Sequence, residues 1–503
     1  MKTIRRVLIA NRGEIAVRII RACRELGIES VAVYSDPDRT ALHTRLADHA
    51  YHIGPAPAAE SYLQIPKLLE VAARAGADAI HPGYGFLSER APFARAVREA
   101  GLVFVGPSPE AVEAMGDKVE ARRRMLAAGV PVVPGSERPI ESDSEVERLV
   151  RDIGFPVMLK AAGGGGGKGM RLVHDQAGLA SALRAARSEA RSAFGDDRVY
   201  VEKAIVRPRH VEVQVLGDTH GNVIHLYERE CSIQRRHQKV IEESPSMAID
   251  QKTREAMGAV AVQAAKAVDY VGAGTIEFLV DQQRNFYFLE MNTRIQVEHP
   301  VTEMVTGVDL VRAQLEIAAG KPLPIRQTDV VQRGWAIECR IYAEDPENNF
   351  LPAPGRIEVL QVPTGLGVRD DSGVYEGFEV STFYDPILSK LIAWGATREE
   401  ATQRMLRALH EYVVVGPTVN VAFHRWALQH PAFVAGDLDT GFIEREFKAA
   451  LLRGDGASDE VALIGAAIAA TERARSRNGG APAGQAGPRS RWLEAGRREA
   501  LRG

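Results

Sequence analysis

Hydrophobic and polar positions follow two periods along this chain, and the changes of period divide it. Near the start, RVLIA is a short apolar run suited to a buried strand, and the turn NRGE follows it. Ile15, Ile19, Ile20, Cys23 and Leu26 then recur at helical spacing up to Gly27, and SVAVYS reads as a second strand ending near Asp36. Strand, helix and strand at this spacing predict a βαβ unit. Two further helix–strand pairs, KLLEVAARAGADAIHPGYGF and FARAVREAGLVFVGPS, carry the pattern to about residue 115. The first turn lacks G-x-G-x-x-G, so nothing here points to nicotinamide binding.

A loop feeding a helix is expected over 116–130, and a second helix around 144–152. FPVMLKAAGGGGGKGMRLV then reads as a strand ending at Lys160, a glycine run from Gly163 to Gly167, and another strand. Glycines let a backbone approach phosphate closely and turn several N–H groups toward it. No G-K-[ST] opens a helix here, so this is not a Walker A loop. VYVEKAI is a strand carrying Glu202. RPRHVEVQVLGD and NVIHLYEREC are alternating strands joined at DTHGN, with His210, Glu212 and Gln214 on one face. CSIQRRHQKV is expected to be a basic, solvated loop. A helix over 251–268 leads to the strand GTIEFLV.

The stretch 285–300, NFYFLEMNTRIQVEHP, begins as an apolar strand and then alternates with a period of two. If it stays extended through Glu298, then Glu290, Asn292, Arg294, Gln296 and Glu298 share one face. Glu290 and Asn292, with a second carboxylate, Glu277, from GTIEFLV, offer hard oxygen donors of the kind Mg²⁺ prefers. A guanidinium beside them suits a small planar anion. The apolar flanks argue for burial, and buried charges need partners. After an amphipathic helix near 307–320, a third unit from Gly334 to about Phe447 begins with WAIECRIYAED, which carries Glu338 and Arg340. Beyond residue 450, RARSRNGGAPAGQAGPRSR has nothing to bury and reads as a linker or tail.

Composition narrows the picture. At 503 residues the chain has room for about three domains. With 45% hydrophobic and 26% charged residues it is ordinary for a soluble globular protein, and a net charge of −3 implies neither a nucleic-acid nor an acidic-membrane partner. Cys23, Cys231 and Cys339 are scattered without metal spacing, which fits a reduced, cytoplasmic setting.

The segments IANRGEIAVRIIRAC, IHPGYGFLSE, MGDK, LKAAGGGGGKGM, EKAIVRPRHVEVQVLGD, ECSIQRRHQKV and FLEMNTRIQVEHPVTE resemble, in order, the biotin carboxylase family, from residue 3 to about 447. The resemblance implies an α/β architecture. Its parts would be a Rossmann-like N-terminal (pre-ATP-grasp) domain over 1–115, an ATP-grasp domain over 116–330 with a mobile lid at about 132–203, and a C-terminal α+β domain over 334–447, with 448–503 left as linker or tail. It also implies a two-step reaction, in which MgATP phosphorylates bicarbonate to carboxyphosphate and the carboxyl group passes to N1 of biotin.

By the same resemblance, Lys118 and Lys160 contact ATP phosphates and the Gly164, Gly165, Gly166 and Gly167 backbone closes over them. Glu202 and Ile205 lie at the adenine end, with His210, Gln234 and His237 along the nucleotide. Glu277, Glu290 and Asn292 hold Mg²⁺ or Mn²⁺. Lys239, Arg294, Gln296 and the Val297 backbone hold bicarbonate, Glu298 is the base that deprotonates it, and Arg340 stabilises the biotin enolate. Tyr342 departs from a common Asn, and DQQRN is one residue longer than usual. No lysine lies between two methionines, the family's biotinylation signal, so a separate biotin carboxyl carrier protein and carboxyltransferase subunits are expected partners, as is a homodimer through the helix bearing Arg21 and Glu25. Acetyl-CoA carboxylase, of fatty acid biosynthesis, is the expected setting. The carboxylases of pyruvate and propionyl-CoA are the alternatives.

Overall fold

The computed structural model describes residues 3–452 except 137, 139, 141, 162–169 and 195–197. The glycine run and, of the tail expected over 448–503, everything beyond 452 lie outside the described residues. Residues Met1–Ala449 form one compact unit.

Five strands, β1 (Arg6–Ile9), β2 (Glu29–Ser35), β3 (His49–Gly54), β4 (Ala79–His81) and β5 (Val103–Phe104), make a parallel sheet in the order β3-β2-β1-β4-β5. The helix Gly13–Glu25 follows β1 and buries Ile15, Ile19, Ile20 and Cys23, as its spacing predicts. Burying each such side chain contributes roughly 1.5–3 kcal/mol.

A small antiparallel sheet, β7-β6-β8, comprises β6 (Val157–Ala161), β7 (Met170–Val173) and β8 (Val199–Lys203). The helices Asp143–Ile153 and Gln176–Phe194 accompany it. Val146, Val150, Leu159, Leu183 and Val201 give it a core of its own.

Eight antiparallel strands form the main sheet. Its order is β13 (Phe286–Asn292), β12 (Gly272–Val280), β9 (Arg209–Gly217), β10 (Val223–Arg235), β11 (Gln238–Ser244), β14 (Trp335–Tyr342), then the strands Ile387–Gly395 and Val368–Ser372. Because β11 pairs with β14, strands from the second and third expected domains share one sheet. Alternating patterns place one side chain in two on each face, and that alternation positions the polar groups described next.

Two local expectations are corrected. CSIQRRHQKV is not a solvated loop: β10 continues to Arg235, Arg236 and His237 turn at φ 51° and 67°, and β11 starts at Gln238. The stretch 285–300 is not extended throughout. Strand β13 ends at Asn292, and a helix, His299–Thr306, starts with Pro300 in its first turn, where proline's fixed φ favours helix entry. No helix among the described residues is long and apolar enough to cross a membrane, and the three cysteines are buried and free.

Candidate active site

Three glutamates lie in register across neighbouring strands of the main sheet. Glu212 on β9 is opposite Glu277 on β12, and Glu277 is opposite Glu290 on β13. Side-by-side carboxylates repel, so the arrangement requires cations. Arg229, on β10 opposite Glu212, is fully buried and uses each terminal of its guanidinium. It donates to Glu212 Oε1 at 2.5 Å, Gln214 Oε1 at 2.6 Å, Thr302 Oγ1 at 2.9 Å, Thr275 Oγ1 at 3.1 Å and Gln296 Oε1 at 2.8 Å.

Lys239 supplies the second cation. Its Nζ donates to Glu277 Oε1 at 2.8 Å, to Glu298 Oε1 at 2.7 Å and, by a short contact, to Glu212 Oε2. Glu277 Oε1 also accepts from Asn292 Nδ2 and Gln296 Nε2, both at 2.8 Å, and its Oε2 lies 3.0 Å from His210 Nε2. Gln234 Nε2 is 2.9 Å from His210 Nδ1. Glu298 Oε2 accepts from Arg340 Nη2 at 2.9 Å, and Arg340 Nε donates to Glu242 Oε1 at 2.6 Å.

Burial favours the neutral carboxyl, and neighbouring charges decide each outcome. Burial pushes Glu298 up, but Lys239, Arg340 and Arg229 together hold it well below the usual carboxylate range. Burial likewise pushes Glu277 up, and Lys239 and His210 outweigh it, leaving it low. Glu290 is raised, by burial and then by Glu277 beside it, against the pull of Lys118. Burial carries Glu242 up to about 7 although Arg340 opposes it.

The structure therefore gathers Lys239, Glu277, Glu290, Asn292, Gln296, Glu298, Arg340, His210 and Gln234. Arg294 joins them by donating to Asn292 Oδ1 at 2.8 Å, while its Nε donates to Glu89 Oε2 at 2.8 Å. The Val297 carbonyl accepts from Lys390 Nζ at 2.9 Å. Lys160 and Glu202 form an ion pair with each other on β6 and β8, and Ile205 lies just past β8. Lys118 is exposed at the start of the helix Lys118–Ala127, and His237 is exposed in its turn. Gly164 to Gly167 lie outside the described residues. Sequence reasoning assigned no part to Arg229, Glu242 or Glu89, although Glu89 closes IHPGYGFLSE. Their partners are distant in the chain, so no local pattern marks them.

The donors on β12 and β13 fit a divalent cation. Glu277 and Glu290 are cross-strand partners and Asn292 adds an amide oxygen, hard donors of the kind a divalent cation takes. A small three-stranded sheet bearing a lysine, together with a large antiparallel sheet bearing in-register carboxylates and cations, is the architecture of an ATP-grasp ligase.

Comparison with known proteins gives the family. The biotin carboxylase N-terminal domain pattern matches residues 3–112, the carbamoyl-phosphate synthase L chain ATP-binding domain pattern 117–326, and the biotin carboxylase C-terminal domain pattern 338–445. Biotin carboxylase 1 of Bacillus subtilis is 54% identical over 88% of this chain and 98% of its own length. One pyruvate carboxylase subunit of Methanothermobacter thermautotrophicus is 52% identical over 87% of this chain and 89% of its own. The biotin carboxylase domain dimer of Hydrogenobacter thermophilus 2-oxoglutarate carboxylase, solved with MgADP, ADP and bicarbonate, is 46% identical with a TM-score of 0.82, over 88% of this chain and 98% of that one. The chain belongs to the biotin carboxylase family. It is an ATP-grasp ligase that serves a biotin-dependent carboxylase.

Proposed function

We propose that this enzyme uses ATP and bicarbonate to carboxylate biotin on a separate carrier protein, through carboxyphosphate, as the first half-reaction of an acetyl-CoA carboxylase. The observation that carries this reading is the position of Glu298 between Lys239 and Arg340, one cation for each substrate it must serve.

Bicarbonate must lose a proton as it attacks phosphorus, which calls for a carboxylate within hydrogen-bond reach. Arg294, Lys239, Gln296 and the Val297 backbone hold the anion. Glu298 is kept ionised by its neighbours, so it is in the form that takes up a proton, although the same cations weaken it as a base. A move of the Lys239 ammonium from Glu298 toward bicarbonate raises the basicity of Glu298 as it is needed. Lys118 and Lys160 meet the ATP phosphates under the Gly164 to Gly167 backbone, Glu202 and Ile205 the adenine end, and His210, Gln234 and His237 the length of the nucleotide. Glu277, Glu290 and Asn292 hold Mg²⁺ or Mn²⁺, which when bound neutralises charge on the transferring phosphoryl group. Arg340 stabilises the developing enolate oxygen of biotin.

The proposed domains are 1–115, 116–330 with a lid at about 132–203, and 334–447, with 448–503 as a tail, in a cytoplasmic homodimer working with a carrier protein and a carboxyltransferase. The Hydrogenobacter dimer supports the assembly, and its ligands support the substrates. The Bacillus relative supports a free-standing subunit. The Methanothermobacter relative supports pyruvate as an alternative acceptor, and propionyl-CoA is a third. The test is ADP release by the purified chain with and without bicarbonate and free biotin. Hydrolysis indifferent to both overturns the reading. Labelled bicarbonate, carrier and carboxyltransferase then identify the acceptor among acetyl-CoA, propionyl-CoA and pyruvate.

A further inference from the structure

Between Asn292 and His299 the chain carries Arg294, Gln296, Val297 and Glu298, yet it has neither strand nor helix to fix it. Besides two long backbone bonds, to Gln296 O and Glu298 O, side chains hold three of its carbonyls. Ile295 O accepts from Arg294 Nη1 at 3.3 Å, Gln296 O is 2.7 Å from His299 Nδ1, and Val297 O accepts from Lys390 Nζ at 2.9 Å. The last of these is the one that comes from far away in the sequence.

Lys390 lies on the strand Ile387–Gly395, directly opposite Arg340 on β14, and is fully buried. A buried ammonium needs several acceptors. Beyond Val297 O, Lys390 Nζ has Glu14 Oε2 at 3.2 Å and Asp371 Oδ2 at 3.9 Å. Glu14 belongs to NRGE, in the first turn of the helix after β1, and its Oε1 accepts from Tyr84 OH in the HPGYG turn. One ammonium thus joins the parallel-sheet region, the far strands of the main sheet and the segment preceding Glu298. Glu14, with Asp371 farther off, faces its charge.

We propose that Lys390, paired with Glu14, is a positioning residue for the bicarbonate end of the reaction: it anchors the Val297 carbonyl and so sets where the Val297 backbone and the Glu298 carboxylate lie. This rests on the bicarbonate reading of that segment. Displacing reacting groups by about 1 Å costs on the order of 10²-fold in rate, so a modest slackening here has a large kinetic effect and little effect on ATP.

The test uses Lys390→Met, Glu14→Gln/Lys390→Met and Lys390→Arg in the full chain. Each is read for thermal midpoint, nucleotide affinity by equilibrium binding, and KM and kcat for bicarbonate-dependent ADP release. Lys390→Met alone strands the Glu14 carboxylate and is expected to lose stability. The double variant removes both charges and is expected to recover the thermal midpoint while keeping a bicarbonate KM raised about tenfold or more, with nucleotide affinity unchanged. A double variant with wild-type bicarbonate kinetics overturns the inference. Should the double variant fail to fold, Lys390→Arg decides, because it keeps the charge and the Glu14 pair but presents a different donor to Val297. A raised bicarbonate KM supports positioning, and wild-type kinetics overturn it. Wild-type enzyme showing no bicarbonate dependence in the same assay sinks the proposed function instead, so the two failures are distinct.

Discussion

Glu242 on β11 and Glu338 on β14 stand directly opposite each other, both fully buried, and three of their four carboxylate oxygens accept no hydrogen bond among the described residues. Only Glu242 Oε1 is engaged, by Arg340 Nε. Two buried carboxylates side by side disfavour ionisation, and both are raised, Glu338 first by burial and then by Glu242 despite Lys390.

A pH dependence of stability follows. Glu242 ionises at about 7 in the fold against 4.5 ordinarily, so between those values the folded protein holds a proton that the unfolded chain has lost. Its contribution to stability is complete below about 4.5 and declines as pH rises to about 7. Glu242→Gln keeps an oxygen for Arg340 and removes the titration. The variant should therefore gain on wild type as pH climbs from 4.5 to 7, by on the order of 1–3 kcal/mol. Denaturant unfolding at several pH values checks this, and a constant difference between the two proteins would refute it.

Glu298 is expected to be needed for chemistry and not for nucleotide binding. Glu298→Gln keeps one oxygen, for Lys239 or for Arg340, turns an NH2 group toward the other, and cannot take up a proton. Bicarbonate-dependent turnover should fall by about 10²-fold or more, with nucleotide affinity within about twofold of wild type. Loss of nucleotide binding as the main effect would show that Glu298 serves elsewhere.

Much of this site was legible in the chain because strand alternation is local. His210, Glu212 and Gln214 share a face of β9 as the period of two requires, and Glu277 and Glu290 fall opposite each other because β12 and β13 form a hairpin. The alternation argument failed past Asn292, where the chain turns and enters a helix at His299. Glu298 still reaches Lys239, through that turn and not along an extended strand. Arg229 and Glu242 were illegible because each acts through partners tens of residues away, and pairing of β11 with β14 is a non-local choice that periodicity does not encode. Nothing in a sequence pattern sets the register that places Glu338 against Glu242.

Divalent-ion dependence should be carried by Glu290. This carboxyl is raised first by burial and then by Glu277, so a bound cation would favour its ionised form. Glu290→Gln should raise the Mg²⁺ concentration for half-maximal ADP release by about tenfold or more, and excess Mg²⁺ should restore part of the rate. Titration of Mg²⁺ at fixed ATP measures it. An unchanged titration would remove Glu290 from the metal site.

The three-stranded sheet β7-β6-β8 is tied to the chain before it by a contact that only glycine allows. Gly135 bridges to Glu202 on β8, flanked by hydrogen bonds from Ser136 N to Val201 O at 2.8 Å and from Lys203 N to Pro134 O at 2.7 Å. A Cβ at position 135 would lie 2.4 Å from Val201 O and 2.9 Å from Glu202 Cα, both backbone atoms that cannot swing away. Gly135→Ala must therefore push β8 off its neighbour, at a cost of about 1–3 kcal/mol. Glu202 moves with β8, and with it the ion pair to Lys160. If these two residues serve the nucleotide, the variant should raise the KM for ATP several-fold while leaving the bicarbonate KM near wild type, because Lys239, Glu277 and Glu298 sit on other elements. Steady-state kinetics with each substrate varied in turn separates the two constants. Equal increases in both would mean that the strain spreads into the main sheet, and no change in the ATP constant would mean that the Lys160–Glu202 pair has no contact with the nucleotide.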